Sequence, residues 1–287
     1  MIEVFSPAKI NFVLEILNKR NDGFHEISSV MSAVTLKDTI QIAESNHNTV
    51  KFISRYNNDF DEAIAETHKI IESMNTIGST SFPVNIIINK NILSPSGLGG
   101  ISSNFASIIS AINELWCLDL SKDQLKSFSL KFGSDISFFF DKKPGLVSGR
   151  GELIKLLPEK ILCPIIIMPM SNIEPQPHKT KTMYSKIIQD DMTDGNQTQA
   201  FVNNIVNTDN LNDYCFNVFN AVIKRHYPKQ YDAMKHIENI IDMQVHLSGS
   251  GPAIYTIPNH LNTVKNIKTK LINNNIEFFV VDCLQDA

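Results

Sequence analysis

Residues 97 to 100 read Gly97-Leu98-Gly99-Gly100, and the chain that follows takes up a helical rhythm. Phe105, Ile108, Ile109, Ile112, Leu115 and Trp116 recur at the spacing that lines one face of an α-helix. Glycines in this number open backbone paths that side chains would obstruct. A helix beginning directly after them offers unpaired N–H groups and the positive end of its dipole. Ser102 and Ser103 stand where N-caps belong. The segment is expected to be a loop feeding a helix N-terminus, suited to an anion such as a phosphate. Taken alone, a turn joining a strand to a capped helix explains it equally well. It is not a Walker A loop, because no Lys follows a glycine in G-K-[S/T] form. Nor is it G-x-G-x-x-G, because Ser102 takes the place of the last glycine.

The surrounding chain mixes strands and helices. From Phe5 to Ile16, apolar Ala8, Ile10, Phe12, Leu14 and Ile16 alternate with Lys9, Asn11, Val13 and Glu15, the period of a half-buried strand with Lys9 and Asn11 on the opposite face. Residues 27–42 and 82–88 read as further strands, with a helix over 62–74 between them. Ser121-Lys122-Asp123-Gln124 has the form of a capping box, opening a helix that Gly133 is expected to end. The apolar run 136–140 leads to a Gly149-Arg150-Gly151 turn, and a new run at 161–170 places a lobe boundary between residues 1–157 and 158–287. Residues 171–198 are polar and expected to be loop. A helix follows near 217–226, then a tight Ser248-Gly249-Ser250-Gly251-Pro252 turn between two short strands.

Bulk properties exclude several classes of function. A chain of 287 residues that is 43% hydrophobic can bury a sizeable core. Its net charge is -4, and no dense Lys/Arg stretch is interleaved with aromatics, so a nucleic-acid partner is not expected. Residues 1–12 carry Glu3 and Lys9 where a leader would be basic and then apolar. No apolar run reaches the length of a membrane span, so neither secretion nor membrane insertion is expected. Cys117, Cys163, Cys215 and Cys283 form no C-x-x-C, and the eight histidines form no H-E-x-x-H. A reducing cytoplasm without a zinc site or disulfide framework is the expectation.

Two further residues can carry chemistry. Asp135, within Gly133-Ser134-Asp135-Ile136, can accept a hydroxyl proton as an alcohol attacks phosphorus. Lys9 can hold such a carboxylate ionised and offset charge on a transferring phosphate. Singly, Asp135 reads as a helix cap and Lys9 as a solvated surface lysine.

In their order along the chain, Ser6-Pro7-Ala8-Lys9-Ile10-Asn11, Gly97-Leu98-Gly99-Gly100-Ile101-Ser102-Ser103 and Ser248-Gly249-Ser250-Gly251 resemble the three motifs of the galactokinase, homoserine, mevalonate and phosphomevalonate (GHMP) kinase superfamily. Arg20-Asn21-Asp22-Gly23-Phe24-His25, the helix over 104–116, Gly133-Ser134-Asp135 and Gly149-Arg150-Gly151-Glu152 resemble the 4-diphosphocytidyl-2-C-methyl-D-erythritol kinase family, and this likeness runs through nearly the whole chain. The resemblance implies an α+β, two-lobed GHMP kinase fold, with an N-terminal ribosomal-protein-S5-like lobe and a C-terminal ferredoxin-like lobe. It also implies a cytoplasmic monomer or weak homodimer. By the same resemblance, the activity is transfer of the γ-phosphate of ATP, with Mg2+, to the 2-hydroxyl of a CDP-linked methylerythritol in non-mevalonate isoprenoid synthesis.

The site residues also follow from the resemblance. Lys9 and Asp135 match the catalytic pair. Leu93, Ser94, Pro95, Ser96, Gly97, Leu98, Gly99, Gly100, Ile101, Ser102 and Ser103 match the ATP loop, with Ser102 or Ser103 near the magnesium. Asn11 falls in the substrate pocket, Phe24 and His25 match the cytosine-binding pair, and Thr180-Lys181-Thr182-Met183-Tyr184 supplies an aromatic ring, so that the base stacks between Tyr184 and Phe24. Pro95, Ser96, Ile101, Phe105 and Phe24 depart from the family pattern. At a position demanding positive φ, a β-branched Ile101 would be strained by roughly 1–3 kcal/mol. Phe24 keeps a stacking face but lacks a phenol hydroxyl, a loss on the order of 1 kcal/mol. The alternatives are another GHMP kinase, such as homoserine or mevalonate kinase, which would need no cytosine pocket, and a catalytically silent nucleotide-binding homologue.

Overall fold

The alternation at the start of the chain makes a strand, β1 (Ile2–Lys19), but every residue from Ser6 to Ile16 is buried. The half-buried expectation is corrected here, because β1 is covered on both faces and its inward polar groups are partnered. Glu15, for instance, has no exposed surface and accepts from the backbone N–H groups of Gln197 and Thr198 at 3.3 and 2.8 Å. The computed structural model describes residues 1–56, 58–78, 81–173, 179–206 and 211–285.

Beyond β1 the elements are β2 (His25–Glu44), β3 (Thr49–Ser54), α1 (Asp61–Asn75), β4 (Val84–Lys90), α2 (Gly100–Leu115), α3 (Lys122–Ser129), a 3-10 turn (Ser134–Phe140), β5 (Gly145–Gly149), β6 (Leu153–Leu156) and β7 (Ile165–Met168). There follow α4 (Lys179–Ser185), α5 (Asn196–Asn204), β8 (Phe216–Asn217), α6 (Phe219–His226), α7 (Pro228–Ile241), β9 (His246–Leu247), β10 (Ile254–Thr256), α8 (Leu261–Asn273) and β11 (Phe279–Val281). Ser121 forms the expected capping box with Gln124, but α3 ends at Ser129 and Gly133 caps the 3-10 turn instead. The N-cap of α2 is Gly99 at φ 69°, so Ser102 and Ser103 lie inside its first turn and do not cap it. The stretch expected to be loop holds α4 and the start of α5, and its residues 174–178 lie outside the described residues. Local sequence hides α5 because its N-terminal N–H groups are met by Glu15, far away along the chain.

Two compact units emerge. The first comprises Met1–Ala8, Leu36–Ser94 and Gly99–Lys142; the second comprises Lys9–Thr35, Pro95–Leu98 and Lys143–Ala287. Position 157/158 falls within the second. In the first unit β3 pairs in parallel with β4, from Thr49 opposite Asn85 to Ser54 opposite Lys90, and β4 runs antiparallel to β2, from Thr39 opposite Asn89 to Glu44 opposite Val84. Ile40, Ile42, Ile86 and Ile88 of this sheet are wholly buried, as are Ile108, Ile109 and Ile112 of α2. Each such side chain contributes about 1.5–3 kcal/mol, so packing and not propensity holds α2.

In the second unit β1 pairs in parallel with β8, while β2 pairs antiparallel with β5 and β5 with β6. A separate antiparallel sheet has the order β11-β7-β10-β9, and its central strand β7 is buried throughout, as the unbroken Ile165-Ile166-Ile167-Met168 run demands. Among the described residues no helix is long and apolar enough to cross a membrane, and the four cysteines are unbridged.

Candidate active site

Lys9 lies on β1 and is only 4% exposed, which removes the reading of a solvated surface lysine. Its backbone N–H donates to the carbonyl oxygen of Leu98 at 2.9 Å, and its Nζ donates to Asn11 Oδ1. Asn11 Nδ2 donates to Ser29 Oγ at 2.9 Å, and that hydroxyl donates to the carbonyl of Val13 at 2.5 Å. Because the amide nitrogen is committed to Ser29, the amide oxygen of Asn11 is turned towards the lysine. Ser29 was not among the sequence candidates; its only signal is its place among the buried residues of β2. Tyr255, on β10, adds a second support, its hydroxyl donating to the Asn11 carbonyl at 2.9 Å.

The tip of the glycine loop packs against the turn at 248–251. A Cβ on Gly97 would collide with the Ser248 carbonyl oxygen and lie 2.7 Å from the Gly251 nitrogen, and the residue takes φ 81°, so only glycine fits. Ser248 Oγ donates to the Gly97 carbonyl at 3.1 Å, and the Ala253 N–H donates to that of Ser96 at 3.0 Å. On the same turn, a Cβ on Gly249 would come within 3.0 Å of Lys9 Nζ. Asn217 Nδ2 holds the carbonyls of Leu247 and Gly249 at 2.9 Å each. Segments of all three motifs thus meet within the second unit.

Leu93, Ser94 and the loop residues from Gly99 onward belong to the first unit. Positive φ falls on Gly97 and Gly99, whereas Ile101 is a helical residue of α2 and bears no backbone strain. Helix α2 has no side-chain cap and no acidic residue in its first turn, which leaves its N-terminal N–H groups and dipole open to an anion. Leu93 and Ser103 are buried, Ser102 is partly exposed and Pro95 is exposed. Asp135 is an exposed residue in the first turn of the 3-10 segment, where Gly133 takes the cap position and no side chain caps, so the helix-cap reading of Asp135 does not hold. Buried Ile136, Phe138, Phe139 and Phe140 fasten that turn and fix where the carboxylate emerges.

His25 and Tyr184 lie in the second unit, their rings stacked with centroids 5.6 Å apart. Tyr184 belongs to helix α4 and also meets Phe219 edge-on at 5.0 Å. Burial, with the charge of Lys19 second, holds the His25 imidazole below its ordinary value, so it is neutral near pH 7 with one donor and one acceptor. Phe24 is half exposed, with the Arg150 guanidinium over its ring at 4.8 Å.

Residues 63–141 match the family described as GHMP kinases N terminal domain. A 4-diphosphocytidyl-2-C-methyl-D-erythritol kinase of Prochlorococcus marinus (strain MIT 9301) is 30% identical over 292 residues, covering 97% of this chain and 91% of its own. The chain belongs to the 4-diphosphocytidyl-2-C-methyl-D-erythritol kinase family. A crystal structure of 4-(cytidine 5'-diphospho)-2C-methyl-D-erythritol kinase is similar with a TM-score of 0.80 at 19% identity, over 98% of this chain and 99% of that one. Streptococcus pneumoniae phosphomevalonate kinase reaches 0.74 at 13% identity, over 99% of both chains. At such identities these likenesses bear on fold, and the expected α+β GHMP kinase fold is the fold observed. As a member of this family the chain is an ATP-dependent small-molecule kinase.

Proposed function

We propose that the protein transfers the γ-phosphate of ATP to the 2-hydroxyl of 4-diphosphocytidyl-2-C-methyl-D-erythritol. The supporting observation is identity sustained over 97% of the chain to a relative named for that substrate. In this reading Asp135 takes the hydroxyl proton as the oxygen attacks phosphorus, and Lys9, oriented by Asn11, offsets charge on the transferring group. The N–H groups of the loop and of the first turn of α2 hold the phosphates. Tyr184 and Phe24 supply ring faces for the cytosine, and neutral His25 supplies a donor and an acceptor for its edge.

Among the described residues no group of three or more His, Cys, Asp or Glu side chains is placed to hold a metal. Magnesium is commonly carried by substrate phosphates and water with little help from the protein. Ser102 or Ser103 would complete its shell, and the ion would neutralise phosphate charge. We further place the enzyme in the cytoplasm as a monomer or weak homodimer.

ATP-dependent phosphorylation of the cytidyl substrate tests the reading, and its absence rejects it. Thermal protection by CDP, but not by homoserine or mevalonate, separates it from the other GHMP kinases. Turnover that disappears in Asp135→Asn eliminates the silent homologue.

A further inference from the structure

In the first unit, Asp38 of β2, Lys90 at the end of β4, Asn104 of α2 and Ser6 of β1 form a closed polar network. The side chains of Asp38 and Lys90 have no exposed surface, and Ser6, Ser103 and Asn104 are equally buried. Asp38 Oδ1 accepts the backbone N–H groups of Asn91 and Ile92 at 2.7 and 2.9 Å. Its Oδ2 accepts Lys90 Nζ and, at 2.9 Å, Asn104 Nδ2. Asn104 Oδ1 accepts Lys90 Nζ at 3.0 Å, its Nδ2 also donates to Ser6 Oγ at 2.8 Å, and Ser6 donates to Ser103 Oγ at 2.8 Å. The amide of Asn104 is thereby fixed in one orientation. Reversed, it would set its NH2 against the ammonium and its oxygen against the carboxylate.

The connectivity gives this network its meaning. Asn91 and Ile92 lead into the glycine loop, and Ser103 and Asn104 stand where the loop has become helix. A single carboxylate therefore ties both ends of the intervening segment. A buried ion pair is a poor way to add stability compared with apolar packing, and α2 is already well packed. Its advantage lies in direction: it sets where the two ends of the loop sit.

We propose that Asp38, Lys90 and Asn104 are positioning residues for the nucleotide loop, holding its ends at the separation that ATP binding requires. The inference rests on the reading that this loop takes the phosphates of ATP. Pre-set ends spare the loop an ordering cost on binding, so the effect falls on affinity for ATP. It also divides the serines: Ser103 serves the anchor, and partly exposed Ser102 is the one available to a ligand.

Asn104→Ala cuts the link between the carboxylate and α2 while sparing the ion pair; Ser6→Ala removes the arm to Ser103 and one of the two acceptors of Asn104 Nδ2, leaving its bond to Asp38 in place. Calorimetric MgATP binding and steady-state kinetics with the cytidyl substrate read the outcome. The Kd and KM for ATP are expected to rise about tenfold in Asn104→Ala and about threefold in Ser6→Ala, with the KM of the alcohol substrate unchanged. If Asn104→Ala does not fold, Ser6→Ala decides alone. Variants whose ATP constants equal those of an ATP-binding wild type, or that lose affinity equally for both substrates, overturn the anchor. A wild type that binds no MgATP overturns the nucleotide reading, and the anchor with it.

Discussion

Lys90 in the first unit and Lys9 in the second are both buried lysines on strands, yet they keep different company. Lys90 shares the Asp38 carboxylate and the Asn104 amide with groups whose own hydrogen bonds are complete. Lys9 donates to Asn11, whose far side is set by Ser29, and beside its ammonium the chain has a glycine at 249. The first is a charge enclosed with its counter-ion and belongs to the architecture. The second donates to a neutral amide and lies beside a glycine whose Cβ would crowd its ammonium. Burial alone does not distinguish the two roles; the partners do.

The contrast breaks most visibly on stability. Lys90→Met strands the buried Asp38 carboxylate, at an expected cost of about 3–5 kcal/mol, read as a lower urea midpoint. A midpoint equal to that of the wild type would refute the architectural role. Lys9→Ala is expected to do the reverse, lowering kcat roughly 10²–10³-fold while moving the midpoint far less. An unchanged kcat removes Lys9 from the chemistry.

A third buried base sharpens the comparison, because it is kept uncharged. His246 is packed at 5.6 Å from the Tyr255 ring, its Nε2 has no hydrogen-bond partner among the described residues, and burial holds its pKa at about 4. Above pH 6.5 both folded and unfolded states are neutral. As the pH falls below that, the unfolded chain takes up a proton that the folded chain refuses, so stability declines until about pH 4. The total loss is about 3 kcal/mol. Thermal midpoints between pH 7 and 4 should therefore fall less steeply in His246→Gln, and parallel curves would count against the assignment. The smallest effect is expected at Ser29→Ala. Loss of the bond that orients Asn11 is worth on the order of 1 kcal/mol, seen as a several-fold drop in kcat with KM for ATP unchanged; a change confined to KM would place Ser29 elsewhere.

The loop and its helix were legible because their signals are local. Glycines, an apolar period and a capping box act within a few residues, and α1, α2, α3 and the 248–251 turn follow from them. The helix carrying Tyr184 was not legible, because a short polar segment has little period of its own. Nor was Ser29, one hydroxyl on a long strand. Strand alternation reports one covered face and so points Lys9 towards solvent, whereas β1 is covered on both.

Sequence alone determined the mixed α+β class, the glycine path at 97–100, the helix behind it, the exclusion of common nucleotide motifs and the family likeness, since each depends on residue type and short spacing. Tertiary structure decided which polar groups are enclosed and by whom. Asp38 of β2 meets Asn104 of α2, 66 residues on, and Asn11 of β1 meets Ser29 of β2, 18 residues on. A buried polar group must find a partner wherever the fold brings one, and no local rule of sequence says where that is.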